Sequence, residues 1–480
     1  MAGSAIILII VEIWLKWKVL FSNSFILDDA FMFERALYDR PFNDLSKFLS
    51  SFQNTNFDGY LVTAVYRSLV VMAGDIVTLR LIFLVLFAVA TALFSLLIYR
   101  VTKDRIFSIL AGTFSLLTPF SLFFVLFTSG SYYLTFFIIF AAGLICGTYI
   151  DPHRPFSQTG PLIVAMTSLF ALSAALLGTG SLLCLSALIW IFYHTRSFTK
   201  PNLRRLFYLC GVILVAQTVW TILTLRSPYE DIPGRVNYDF FSMFINGLRI
   251  INRSVSSYLF PNISTGTLTR QPSLWIAGTF IIFILGLHFW LIKKFMRERI
   301  RLLSLPIEYS LSLFLGVSAV LAIGPYSLLT HTHPWHYFSP LIFLGSMTFL
   351  LIYLALGKRI ACFTIFLAAV FTIESHSNKT PDFVEASKQQ AQFANFIRAE
   401  SELWSSSDRI YLILTQAPAL QGFNVPFRST GFNRYISENP NAPYLSICYK
   451  TIPEGELNTT EPGAVFLYEM NKSGDYKRIN

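Results

Sequence analysis

Two adjacent carboxylates, Asp28 and Asp29, stand directly after the first apolar stretch of the chain and at the start of a short amphipathic segment. Ala30, Phe33 and Leu37 follow them at helical spacing. Aspartate is among the best N-cap residues, because its carboxylate meets the positive end of the helix dipole. One carboxylate is sufficient for that role, and two adjacent ones repel each other. The pair therefore favours a chemical role for at least one of the two, and helix capping alone is the alternative.

The elements that must position this pair are apolar segments. Of the 480 residues, 54% are hydrophobic and 13% are charged, whereas a soluble domain carries about 25% charged residues. A run of about 18 or more apolar residues can cross a bilayer as a helix. We therefore predict an α-helical polytopic membrane protein with about eleven transmembrane helices. The predicted spans are 5–21, 76–99, 106–127, 134–149, 162–177, 182–193, 206–225, 274–292, 311–329, 341–356 and 360–373.

The first span carries three charged residues, Glu12, Lys16 and Lys18. Glu12 and Lys16 are four residues apart, so we expect them to pair on one helix face. The lysines follow the apolar run rather than precede it, which is unlike a signal peptide. The segment is therefore predicted to stay in the protein as an anchor, with Lys18 reaching the interface.

Basic residues follow the even-numbered spans, as Arg100, Lys103 and Arg105 follow the second span and Lys358 and Arg359 follow the tenth. Cytoplasmic loops carry an excess of Lys and Arg. We therefore expect a multi-pass bacterial inner-membrane protein with a cytoplasmic N-terminus and a periplasmic C-terminal part. The net charge of +10 follows from this topology and does not indicate a nucleic-acid partner. The predicted outer loops are 22–75, 226–273 and 330–338.

The outer loops contain further amphipathic patterns and most of the candidate binding residues. Residues 61–72 and 240–258 are apolar at helical spacing, which predicts helices that lie along the membrane surface. The same loops carry cationic and histidine residues and one tyrosine as candidate site residues. These are Arg67, Arg235, Arg253, Arg270, His331, His333, His336 and Tyr337.

The third outer loop contains three histidines in six residues, His331, His333 and His336. Such spacing raises the possibility of a zinc site, but no carboxylate or cysteine stands nearby to complete it. Aromatic and histidine residues are also ordinary at a membrane interface. A third interpretation is that the histidines and Tyr337 bind a phosphate, and the sequence leaves the three open.

The composition changes at about residue 375, which divides the chain into a transmembrane unit, 1–374, and a polar unit, 375–480. Residues 382–404 are predicted to form an amphipathic helix, and 409–414 and 464–468 to form strands, with 443–449 as a candidate third. This predicts a small extracytoplasmic α/β domain of a size that can fold alone. We expect it to serve as a lid or docking surface for the membrane unit.

Taken together, the chain resembles the GT-C-type membrane glycosyltransferases, which use polyprenyl-phosphate or related lipid-linked sugar donors. The likeness lies in the acidic pair Asp28-Asp29 after the first span, the long outer loop with two surface helices, about ten further spans, and the α/β unit on the same side. The stretch from His336 to Pro340 is similar to the Arg-Tyr-x-x-Pro pattern of these enzymes, with His336 in place of the arginine.

The resemblance implies that Asp28 or Asp29 acts as a general base on the acceptor or helps to hold a divalent cation, Mg²⁺ or Mn²⁺. A hydroxyl is a poor nucleophile at neutral pH, and a carboxylate within hydrogen-bond reach can take its proton. The resemblance also implies a lipid phosphate as the leaving group, whose charge needs cationic or histidine side chains nearby, and the candidate residues of the outer loops would supply them. The implied partners are a lipid-linked sugar donor and a glycan, lipid or protein acceptor.

Three other functions compete with this one. An O-antigen polymerase or ligase would use the loop 226–273, but such enzymes generally lack both the acidic pair and the C-terminal unit. A transporter or flippase should show ionisable or Gly/Pro-broken positions within its spans, and beyond Glu12 and Lys16 the spans are almost free of charge. A family member that has lost activity and only scaffolds is the third.

Overall fold

The structure is a computed structural model, dominated by helices that run back and forth between two ends of a bundle. It describes residues 2–22, 60–118, 132–150, 156–176, 180–195, 204, 207–215, 218, 239–259, 275–298, 305–327, 338–404, 408–414, 436–437, 443, 445–449, 465–470 and 476–479. The helices are α1 (Ala2–Leu20), α2 (Tyr60–Ala73), α3 (Ile76–Thr102), α4 (Arg105–Leu116), α5 (Tyr132–Thr148), α6 (Phe156–Leu176), α7 (Gly180–His194), α8 (Phe240–Leu259), α9 (Trp275–Arg297), α10 (Ile307–Ser327), α11 (Phe338–Leu356) and α12 (Lys358–Glu400).

The apolar composition of these helices agrees with an integral membrane protein. By length and composition, four helices in the described part of the chain can cross a membrane, namely α3, α9, α10 and α12. Helices α4, α5, α6, α7 and α11 contain shorter apolar stretches of 10–17 residues. Many large apolar side chains of α9 are exposed, including Ile282, Phe289 and Met296. Such a face is suited to lipid, so the prediction of an α-helical polytopic membrane protein is confirmed, without a fixed number of spans.

Basic residues gather at one end of the bundle, which we call the basic end. The short turn between α3 and α4 lies there beside the start of α12, because Lys358 Nζ lies 2.8 Å from Asp104 Oδ2. Arg100, near the end of α3, donates to the Thr148 carbonyl at the end of α5, at 3.4 Å. The same end receives the last turn of α9, with Lys294 and Arg297. The grouping of basic residues that the sequence predicts is therefore present in the described helices.

At the opposite end, which we call the loop end, α1, α10 and α12 finish and α3, α9 and α11 begin. Helix α8 lies there across two neighbours. Asn246 Nδ2 donates to the Ser327 carbonyl of α10 at 3.2 Å, and Asn252 Oδ1 accepts from the Ala277 N–H of α9 at 2.9 Å. Ile250 of α8 also packs against Ile323 and Leu341. The amphipathic helices predicted at 61–72 and 240–258 are thus confirmed as α2 and α8.

Helix α12 differs from the prediction, because the segments 360–373 and 382–404 form one continuous helix, extended by a 3-10 turn over Ser401–Leu403. The polar stretch between them is partly buried, so the end of the apolar run does not end the helix. Ser375 and His376 are fully buried, and His376 Nε2 lies 3.0 Å from the Thr118 carbonyl oxygen. The helix also contains Pro381. Packing against other helices thus outweighs the local polarity that favoured two separate elements.

The strands are β1 (Arg409–Leu414), β2 (Leu445–Tyr449), β3 (Val465–Met470) and β4 (Tyr476–Arg478). They form one sheet in the order β2-β1-β3-β4. Strand β1 is parallel to β2 and to β3, whereas β4 is antiparallel to β3. The three strands that the sequence predicts are confirmed. The fourth was not predicted, because three residues, Tyr476–Arg478, carry too little pattern to be recognised.

Candidate functional site

Most of the predicted site residues lie outside the described part of the chain. These are Asp28, Asp29, Arg235, Arg270, His331, His333, His336 and Tyr337. Arg67 belongs to α2, but its side chain is also outside the description. Arg253 lies on α8 with a half-buried side chain. The structure therefore defines the elements that flank the acidic pair.

The first outer loop begins at a fixed point, the C-terminal end of α1. Ser22 Oγ donates to the Val19 carbonyl at 2.7 Å. Arg80 of α3 is fully buried, and its Nη1 donates to the carbonyls of Val19 and Ser22, each at 2.9 Å. The last carbonyls of a helix have no partner within it, so Arg80 stabilises this end. Sequence reasoning missed Arg80, although a lone arginine inside an apolar span is costly and is a signal in itself.

The loop returns through α2 into the start of α3. Gly74, with φ +75°, makes the turn between the two helices in a conformation that favours glycine. Asp75 caps α3, because its carboxylate accepts from Thr78 N at 2.8 Å and from Thr78 Oγ1 at 2.6 Å. Partial burial raises the pKa of Asp75, but the hydrogen bonds from Thr78 outweigh it, and the pKa is lowered overall.

A hydrophobic cluster joins α2 and the start of α3 to the end of α12 and to the sheet. We call this hydrophobic cluster the junction cluster. Its buried members are Tyr66, Val70, Ile76, Leu79, Phe83, Phe393, Ala394, Phe396, Ile397, Trp404, Ile410, Leu412, Ile436 and Tyr468. Within it, the Tyr66 ring of α2 stacks on Phe83 of α3, with ring centroids 6.4 Å apart and ring planes at 12° to each other. Helix α2, which follows the first outer loop, and the C-terminal sheet therefore contribute to the same hydrophobic core.

The junction cluster contains a polar contact around Tyr468, which is buried. Its hydroxyl donates to Glu400 Oε2 at 2.8 Å and accepts from Trp404 Nε1 at 3.1 Å. The Phe396 ring meets the Tyr468 ring edge-on, with centroids 4.8 Å apart. Burial, followed by the hydrogen bond to Glu400, raises the pKa of Tyr468 to about 12. The neutral hydroxyl is therefore the form that holds the sheet to the end of α12.

Helix α8 carries two arginines at the loop end. Arg249 and Arg253 are four residues apart and both half-buried, so they lie on one face of the helix. Arg249 Nη1 donates to Asn246 Oδ1 at 3.0 Å. Because Asn246 also bonds to α10 and Asn252 bonds to α9, the cationic face is held on the bundle. Arg249 was not among the predicted site residues, and its spacing from Arg253 was the available signal.

Charged groups also lie inside the bundle, on α1. Lys16 Nζ donates to Glu12 Oε2, and both side chains are fully buried. The predicted pairing is therefore confirmed. The contacts of α1 with α3, α4 and α12 bury this face between helices, whereas Lys18 is exposed. Within the described residues, Glu12 Oε1 has no hydrogen-bond partner.

No protein-family model and no curated protein matches the chain. Among solved structures, it is similar to ArnT from Cupriavidus metallidurans bound to undecaprenyl phosphate, with 11% identity and a TM-score of 0.49 over 98% of this chain and 94% of that chain. The apo ArnT structure from the same organism gives 11% identity and a TM-score of 0.40 over 98% and 93%. ArnT is a GT-C glycosyltransferase, the class that the sequence resembles. At this level of similarity the likeness assigns no role to any residue.

The end of α1 and helix α2, which flank the acidic pair in sequence, thus lie at the loop end. The arginine face of α8 and the C-terminal sheet lie at the same end. The basic end has short connections instead, such as Lys103-Asp104 between α3 and α4 and Gly357 between α11 and α12. Among the described residues, no group of three or more His, Cys, Asp or Glu side chains is placed to hold a metal ion. Arg249 and Arg253 give this end a cationic face.

Proposed function

We propose that the protein is a membrane glycosyltransferase that moves a sugar from a polyprenyl-phosphate-type lipid donor to a glycan, lipid or protein acceptor on the outer face. One observation carries the proposal. The two chain segments that flank Asp28-Asp29 lie at the loop end, where α8 carries Arg253, and the basic end lies opposite. By the positive-inside rule the basic end is cytoplasmic, which puts the loop end on the outer face.

In this reaction, Asp28 or Asp29 takes a proton from the acceptor hydroxyl as that oxygen attacks the anomeric carbon of the donor. The bond from that carbon to the lipid phosphate breaks, and the phosphate leaves with the bonding electrons. Cationic side chains stabilise the charge that develops on it. Arg253 is our first candidate for that role, with Arg67, Arg235, Arg270, His331, His333, His336 and Tyr337 as further candidates. A divalent cation, Mg²⁺ or Mn²⁺, held by the pair is an alternative use of the same carboxylates.

The first experiment compares cell-envelope glycans with and without the gene and complements the deletion with variants. Asp28→Asn or Asp29→Asn is expected to abolish transfer while the protein stays folded. Asp58→Asn removes an acid from the same loop and serves as the control. If Asp28→Asn and Asp29→Asn both restore the glycan completely, the assignment of a catalytic role to Asp28 or Asp29 is wrong.

The second experiment uses purified protein with sugars linked to undecaprenyl phosphate, which is the lipid bound in the ArnT structure. Arg253→Gln is expected to lower kcat/KM for the donor at least about tenfold, since a charge-assisted hydrogen bond contributes about 1.5–3 kcal/mol. Lys294→Gln, at the basic end, should leave kcat/KM unchanged. An equal kcat/KM for wild type and Arg253→Gln would remove Arg253 from the donor site. A product that grows as a polymer would favour the O-antigen polymerase alternative.

A transporter of lipid-linked glycans is the second candidate, because buried charge within membrane helices often marks a transport pathway. Glu12, Lys16 and Arg80 are such groups here. Translocation of a fluorescent lipid-linked sugar across proteoliposomes distinguishes the two. The proposed enzyme transfers sugar and does not translocate the lipid, and the reverse result would favour the transporter.

A further inference from the structure

We propose that Arg80 is a positioning residue that holds the beginning and the end of the first outer loop on one turn of α3. Arg80 touches neither the acidic pair nor a substrate in the described structure. Its contribution to catalysis would act through the loop that carries Asp28 and Asp29, and that part of the proposal rests on the proposed function. The anchoring of the end of α1 by Arg80 does not depend on the proposed function.

The first observation is the place of Arg80 in the membrane bundle. A fully buried arginine inside a membrane-spanning helix is costly unless its N–H groups are paired. Here one guanidinium nitrogen bonds two carbonyls beyond or at the end of α1, those of Val19 and Ser22, each at 2.9 Å. The planar guanidinium presents donors in a fixed geometry. The contact therefore sets both the distance and the direction in which the chain leaves α1.

The second observation is that the other end of the loop is held by the same turn of α3. Leu79 and Phe83, on either side of Arg80, belong to the junction cluster, and Phe83 stacks on Tyr66 of α2. The same turn of α3 therefore contacts both the end of α1, through Arg80, and the helix α2 that precedes α3, through Phe83.

The third consideration is the short chain distance from this anchor to the proposed catalytic pair. Asp28 follows Ser22 by six residues. A catalytic group displaced by about 1 Å can lose about 100-fold in rate. Release of Ser22 is therefore expected to lower kcat about 10- to 100-fold. Donor binding by other residues is retained, so the donor KM is expected to change less than about threefold.

The test uses the full-length protein in lipid nanodiscs with Arg80→Gln and Arg80→Lys. Lysine keeps a charge and a donor but cannot reproduce the guanidinium geometry, so its effect should be the smaller. Arg100→Gln is the matched control. Arg100 also lies on α3 and donates to a helix-terminal carbonyl, that of Thr148, but at the basic end.

The first readout is hydrogen exchange, which is independent of any activity. In both Arg80 variants the amides of residues 19–30 are expected to exchange at least tenfold faster than in wild type, and in Arg100→Gln they are expected not to change. Unchanged exchange in Arg80→Gln and Arg80→Lys overturns the anchor. If Arg80→Gln does not fold, Arg80→Lys carries the comparison.

The second readout is kinetic. A lower kcat with a nearly constant donor KM in the Arg80 variants, and normal kinetics in Arg100→Gln, supports positioning. Normal kcat in both Arg80 variants, or the same loss in Arg100→Gln, overturns it. A wild-type protein without transfer activity contradicts the proposed function, and in that case hydrogen exchange still decides whether Arg80 anchors the loop.

Discussion

Breaking the buried ion pair of α1 should destabilise the bundle far more than replacing it. Removal of one partner from a buried pair typically costs about 3–5 kcal/mol, because the other charge stays buried. The remaining group can gain or lose a proton to become neutral, so we expect about 3 kcal/mol for Glu12→Leu or Lys16→Met. Glu12 Oε1 is buried without a partner among the described residues. Such an atom costs about 1–3 kcal/mol, so the double variant Glu12→Leu/Lys16→Met should equal or exceed wild-type stability.

The assay is the free energy of unfolding in bicelles, measured by steric trapping. Lys18→Met is the control, because Lys18 is exposed on the same helix. We expect this variant to lie within about 1 kcal/mol of wild type. Single variants that behave like Lys18→Met would refute the reasoning. A double variant less stable than both single variants would refute it as well.

Three further predictions concern the packing of the bundle and the junction cluster. Gly112→Ala should destabilise the contact between α3 and α4 by about 1–3 kcal/mol, because the new methyl would lie 2.6 Å from the Ser95 Cα; thermal unfolding tests this against Gly278→Ala, where the new atom has open space. The raised pKa of Tyr468, about 12 against about 10 in an unfolded chain, stabilises the fold fully below pH of about 10. That contribution is lost as pH rises toward 12, so melting temperatures should fall more steeply with alkaline pH in wild type than in Tyr468→Phe. A fragment of residues 375–480 made alone should lack stable tertiary structure by near-UV circular dichroism, since it would be missing the members of the junction cluster that α2 and α3 supply, such as Tyr66 and Phe83; a cooperative melt of this fragment would contradict the shared core.

Local patterns in the sequence predicted the elements well. The apolar runs mark helices α1, α3, α5, α7, α9, α10 and α11 to within a few residues, because burial in lipid demands long continuous apolar segments. Helix α12 is far longer than its apolar run, and α8 was recognised from its amphipathic pattern instead. The spacing of Glu12 and Lys16 predicted their pairing, since residues four apart meet on a helix face. Strands β1 and β3 were recognised from short apolar segments between turn residues.

Long-range contacts were beyond the reach of those patterns. Nothing near Ser375 indicates that α12 continues past its apolar run, because the reason is its burial against other helices. The junction cluster joins Tyr66 to Tyr468, about 400 residues apart. Arg80 is recognisable as costly in an apolar span, but its partners, the carbonyls of Val19 and Ser22, are backbone atoms that any residue would supply. The candidate site was therefore predictable as a face of the protein and not as a geometry.

The two ends of the bundle differ in how the chain is connected. At the basic end, two residues join α3 to α4, nine join α9 to α10 and one joins α11 to α12. At the loop end, α1 is followed by a segment of almost forty residues before α2 begins, and the sheet is added to the end of α12. Binding and catalytic residues concentrate in long connections that a rigid scaffold positions. Arg80 bonds the end of α1 to α3, and the junction cluster packs α2 on α3, so the described segments on both sides of this long connection contact the same rigid helix.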